Sequence, residues 1–153
     1  MVNSRSFLEM RALRYLAQRE YSRLELEQKL FTHACLSPPE ALSDVLDKLE
    51  QKGFLSADRV VEQVIRTRRP RFGSQRIVYE LKEKGIDEQL IHEALPALKE
   101  TELEVAFKIW QKKFGQPPST REERGKQMRF MMSRGFSMEI IQQVLSQADE
   151  ENR

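Results

Sequence analysis

Apolar residues along this chain recur at helical intervals from one end to the other. Leu42, Val45, Leu46 and Leu49 stand at offsets 0, 3, 4 and 7, and Leu103, Ala106, Phe107, Trp110 and Phe114 at 0, 3, 4, 7 and 11. Such spacing lines one face of a helix, and no stretch alternates long enough to suggest a strand. Three stretches close on one device, a basic residue, a glycine and a large apolar residue: Lys52-Gly53-Phe54, Lys84-Gly85-Ile86 and Arg134-Gly135-Phe136. Glycine takes the left-handed conformation that ends a helix, a cation suits the dipole there, and the apolar residue can fold back onto the last turn. A doubled apolar stripe follows each device: Val60-Val61 with Val64-Ile65, Leu90-Ile91 with Ala94-Leu95, and Ile140-Ile141 with Val144-Leu145.

Start and stop signals divide the pattern. Capping-box spacing occurs at Ser6/Glu9, Ser22/Glu25, Ser37/Glu40, Thr101/Glu104 and Thr120/Glu123, while Pro38-Pro39, Pro70, Pro96 and Pro117-Pro118 punctuate the apolar stretches. Together they predict nine helices near 6–18, 22–32, 39–52, 57–68, 74–84, 88–95, 101–114, 121–134 and 138–148. Grouped in threes, these form three-helix repeats at 6–54, 55–99 and 100–148. A unit of roughly 45 residues buries little surface alone, so such units must stack on one another. The expected architecture is all-α, an array of repeats that presents a binding surface and not a catalytic pocket.

Composition narrows the class. The 153 residues are 39% apolar, enough for a core, but no apolar run approaches the roughly 20 residues that a bilayer span needs. Arg5, Glu9, Arg11 and Arg14 among the first apolar residues argue against a signal peptide. Cys35 is alone, which excludes an intramolecular disulfide and fits a reducing cytosol, and His33 and His92 lack partners at zinc-ligand spacing. No nucleophile, metalloprotease or phosphate-loop motif is present, so neither an enzyme nor a cofactor is expected.

Net charge is only +2, and its distribution says more. Arg59, Arg66, Arg68, Arg69, Arg71 and Arg76 face Glu62 alone in their stretch, and a second basic stretch runs from Lys112 to Arg134. The segment between them, Glu80 to Glu104, is acidic. The densest charge is Arg66-Thr67-Arg68-Arg69-Pro70-Arg71-Phe72-Gly73, a connector where Pro70 stops one helix and Gly73 permits the turn into the next. Four arginines exceed what a helix C-terminus requires, and their planar forks suit phosphate or carboxylate. Candidate binding residues are therefore Arg66, Arg68, Arg69, Arg71 and Arg76, with Lys112, Lys113, Arg124, Lys126 and Arg129 as a second set. Trp110, Phe114, Met128, Met131 and Met132 follow apolar stripes and are expected in the core.

These residues fall into a familiar order. Glu25-Leu26-x-x-Lys29-Leu30 after Ser22, then Gly53-Phe54-Leu55, Arg59, Arg68, Gly73, Ile77, Glu80-Leu81 and Lys84-Gly85-Ile86, then Lys113-Phe114-Gly115, Lys126, Arg129-Phe130 and Arg134-Gly135-Phe136 resemble the RecX family over nearly the whole chain. The chain departs from that family's pattern at Ser56-Ala57, where acids are common, and at Val60 and Val64, where aromatics are. The resemblance implies three tandem three-helix repeats in an elongated, curved array. It also implies a cytoplasmic regulator in DNA repair, recombination and the SOS response. Such a regulator binds RecA filaments on single-stranded DNA and suppresses ATP hydrolysis, strand exchange and co-protease action. Direct DNA binding is expected to be weak and the chain monomeric. A helix-turn-helix regulator acting on duplex DNA is the alternative, but arginines crowded on a connector suit backbone contact more than base readout.

Overall fold

The computed structural model describes residues 4–152, which form nine α-helices and no strand. They are α1 (Ser4–Gln18), α2 (Arg23–Ala34), α3 (Ala41–Gln51), α4 (Ala57–Arg68), α5 (Ser74–Glu83), α6 (Glu88–Glu100), α7 (Glu102–Lys113), α8 (Arg121–Ser133) and α9 (Met138–Glu151). The three glycine devices do end helices in the left-handed conformation, at φ 79° for Gly53, 74° for Gly85 and 94° for Gly135. After Gly85 and Gly135 the apolar residue is buried, as expected. After Gly53 it is not: Phe54 stays half exposed, and Leu55 takes the buried place.

Several local expectations fail for identifiable reasons. Pro96 lies inside α6 instead of ending it. A proline there removes only the bond to the carbonyl of exposed His92, and burial of Leu98 favours the further turn. Ser6 lies within α1, and Ser37 donates back to the His33 carbonyl instead of capping α3. The Thr101 hydroxyl is likewise turned away from the amides of α7. Ser22 and Glu25 form the full reciprocal box, Thr120 caps α8, and Ser56 accepts from the Arg59 amide at the start of α4. Met132 is exposed, whereas Met131 is fully buried.

The chain divides into two compact units, Met1–Gln63 with Lys82–Asp87, and Val64–Leu81 with Glu88–Arg153. The core of the first is Leu8, Ala12, Leu26, Leu30, Val45, Leu46 and Leu49 from α1, α2 and α3, closed by Tyr21 and Leu55. Beside it, the Glu25 carboxylate accepts from Arg19 at 2.9 Å, Lys84 at 3.1 Å and the Ser22 amide at 2.9 Å. Burial alone would push this carboxyl up, but the three donors outweigh it and hold the group at about 2.

The second unit gathers Ala106, Trp110, Met131, Phe136, Ile141, Val144 and Leu145 into its core. Trp110 is buried with its indole N–H on Gln127 at 2.8 Å, and Gln127 in turn donates to the Gln116 carbonyl. Gly73 has no left-handed backbone, so it serves close approach and not a turn. Its amide donates to the Arg134 carbonyl at 2.6 Å and the Gln75 amide to the Gly135 carbonyl at 3.1 Å. A Cβ on Gly73 would stand 2.5 Å from the Gly135 carbonyl oxygen, and one on Gly135 would stand 2.5 Å from the Cβ of Arg76.

This close approach orders the glycines by cost. Gly53→Ala meets open space, so it carries only the left-handed penalty of about 1–2 kcal/mol. Gly135→Ala adds to that penalty the overpacking strain of about 1–3 kcal/mol, and urea unfolding should rank it clearly the more destabilising. For Glu25, a folded value of about 2 against an ordinary 4.5 means stability present above pH 4.5 and lost as pH falls toward 2. Glu25→Gln should remove up to about 3 kcal/mol at neutral pH. Acid unfolding curves should show that the variant loses less stability than the parent across that window.

Candidate functional site

The connector after α4 does not present its arginines equally. Arg69 turns inward: its guanidinium donates to Glu102 at 2.7 Å, to Thr101 Oγ1 at 3.0 Å and to the Leu98 carbonyl. Both charged side chains are nearly buried, 13% and 7% exposed. Glu102 also accepts from the Ser74 amide at 3.1 Å and from the Ser74 hydroxyl, so its charge sits at the positive end of α5. Four segments therefore meet on one ion pair: the exit of α4, the start of α5, the end of α6 and the start of α7. This network is also why Thr101 does not cap α7.

Arg68 pairs with Glu80 at 2.8 Å on the surface. Arg66 and Arg71 are exposed and make no ion pair among the described residues. They line an open groove of about 800 Å³ with Arg69, Pro70, Val105, Lys108, Ile109, Lys112, Lys113, Phe130 and Arg134. Seven of these eleven lining residues are basic and none is acidic. The other four, Pro70, Val105, Ile109 and Phe130, make an apolar floor. Two of the seven meet a carboxylate: Arg69 in its nearly buried pair with Glu102, and Lys108 in a largely exposed pair with Glu104 that solvent readily opens.

The fold thus brings Arg66, Arg69 and Arg71 together with Lys112 and Lys113, some forty residues apart in sequence. Lys126 precedes Phe130 and Arg134 by one and two turns of α8, on the same face, while exposed Arg124 and Arg129 flank that face. Arg76 lies outside the groove and stacks over Phe72. Two groove cations were not among the sequence candidates. Lys108 stands one turn before Lys112 on a face shared with Val105 and Ile109, a spacing that could have signalled it. Arg134 reads in sequence as a helix-end cation; its spacing of four residues sets it over Phe130, but only the approach of the start of α5 to the end of α8 brings Phe72 to it.

Two family models match the chain: the third three-helix domain of RecX over residues 100–145 and the second over residues 58–95. It is similar to a regulatory protein RecX of Leptothrix cholodnii, 48% identical over 145 residues that cover 95% of this chain and 91% of the relative. A regulatory protein RecX of Ralstonia pickettii is 41% identical over 143 residues, covering 94% and 89%. Among solved structures, the crystal structure of RecX from Lactobacillus salivarius superposes with a TM-score of 0.79 over 96% of this chain and 97% of that one. Its 22% identity makes this a likeness of fold.

The buried pair has a stability consequence. Arg69→Met leaves the Glu102 charge buried with only Ser74 to satisfy it, and should cost about 3–5 kcal/mol. Glu102→Gln keeps an acceptor for Ser74 and Arg69 and should cost less. Urea unfolding of the two variants checks the order.

Proposed function

The chain belongs to the RecX family of regulatory proteins, and from that premise we propose that it binds RecA nucleoprotein filaments and inhibits their recombinase, ATPase and co-protease activities. The observation that carries this reading is the groove of the second unit, with its seven basic side chains and no acid. A filament exposes phosphodiester backbone and acidic protein surface, and a groove of one sign concentrates field toward both. The protein acts by occupancy and turns over no substrate.

Its working surface is assigned to Arg66, Arg71, Lys108, Lys112, Lys113 and Arg134, with Lys126 extending it along α8 and Arg124 and Arg129 at its margin. Arg68 and Arg69 are assigned elsewhere: Glu80 holds Arg68 outside the groove, and Glu102 holds Arg69 in a nearly buried pair. We assign three repeats, 6–54, 55–99 and 100–148; the family models over 58–95 and 100–145 support the last two. A cytoplasmic site of action follows from the partner, and no described helix is long and apolar enough to cross a membrane.

The test reverses charge without touching the buried pair. Arg66→Glu, Arg71→Glu and Lys112→Glu combined should leave helicity and melting temperature intact. Inhibition of RecA ATPase on single-stranded DNA should weaken, and the salt slope of binding should flatten by about 0.7 for each phosphate no longer neutralised. Full inhibition by the triple variant, with an unchanged slope, would remove the groove from the mechanism.

A further inference from the structure

Outside the paired arginines, cations and aromatic rings alternate in a row. Lys113 Nζ lies 5.2 Å from the centroid of Phe130, whose ring is also approached by Arg134 at 5.0 Å. The same Arg134 lies 5.3 Å from the centroid of Phe72, and Arg76 lies 5.3 Å from that ring in turn. The order is Lys113, Phe130, Arg134, Phe72, Arg76. Arg134 is shared by both rings. None of the three cations has a carboxylate within ion-pair distance among the described residues.

Aromatic faces and carboxylates hold a cation in different ways. A carboxylate orients a guanidinium by cancelling its charge, as Glu80 does for Arg68. A ring orients it through the quadrupole alone and leaves the full charge to the outside. A guanidinium stacked on a ring also keeps its N–H edge free for a bidentate anion. The row's backbone is pinned too, since the Arg134 carbonyl accepts from the Gly73 amide at 2.6 Å.

We propose that Phe72 and Phe130 are positioning residues that hold Lys113, Arg134 and Arg76 as an uncancelled row reading the phosphates of single-stranded nucleic acid. The proposal rests on the regulatory reading above and names the ligand chemistry of its groove. A row of separately held cations suits an anion that repeats along a line. The apolar floor of Pro70, Val105 and Ile109 beside the row favours a single strand over a duplex, because unpaired bases offer apolar faces that a duplex keeps stacked inside. Acidic protein segments are the competing ligand.

The first arm of the test changes no charge. Phe72→Leu, Phe130→Leu and the double variant are titrated with labelled oligothymidylate and, separately, with polyglutamate. Removing a ring from beneath its cations should weaken oligothymidylate binding by about two- to fivefold per ring. Phe72→Leu combined with Arg134→Gln should lose less than the product of the single effects, because the ring acts through the cation. Phe130 packs against the core of its unit, so melting curves accompany each titration and Phe72→Leu, outside that core, decides if Phe130→Leu unfolds. Oligothymidylate affinity unchanged in folded Phe72→Leu overturns the proposal. So does parent binding to polyglutamate that is tighter than to oligothymidylate and is the one weakened on substitution. The regulatory reading is tested separately, by RecA ATPase inhibition in the Arg66, Arg71 and Lys112 charge-reversal variant, so failure of the one is distinguishable from failure of the other.

Discussion

The ion pair between Arg69 and Glu102 is the interaction on which the second unit depends. It takes a guanidinium from the exit of α4 and a carboxylate from the first turn of α7, and it satisfies the start of α5 and the end of α6 on the way. Two charges removed from water this far are costly unless every donor and acceptor is used. Here they are: no described buried side-chain polar atom lacks a partner. The pair is demanding in geometry, since its donors and acceptors come from four segments at once. That arrangement sets Pro70 and Arg71 at the mouth of the groove.

The same arrangement requires two glycines to touch. Gly73 and Gly135 let the start of α5 approach the end of α8 until their backbones hydrogen-bond. Any side chain at either position would separate them. The approach carries Phe72 and Arg76 to one side of Arg134 and leaves Phe130 on the other. A junction that looks purely structural is thus what assembles the cation row.

Charge on this surface is consequently sorted by partner. Arg68 is held by a carboxylate and contributes little external field, and Arg69 is held more deeply still. Lys113, Arg134 and Arg76 are held by rings and contribute fully. Part of the acidic segment between the two basic stretches is used inside the unit, where Glu80 and Glu102 hold these two arginines.

The sequence by itself determined the helices, because periodicity and glycine stops act within a few residues. Gly53, Gly85 and Gly135 are left-handed where the pattern requires it, and Ser22–Glu25 caps as its spacing requires. Local signals failed where a distant group competed for the same atoms. Thr101 gives its hydroxyl to the network of Arg69 instead of capping α7, and Pro96 is carried through by the burial of Leu98. The site was legible only as composition. Connector and lysine cluster could both be picked out, but a crowd of basic residues in sequence says nothing of which are free. Arg68 meets its acid 12 residues away and Arg69 meets its own 33 residues away. Charge belongs to the residue and is written in the chain. Its neutralisation belongs to the neighbours in space, and only the tertiary structure supplies those.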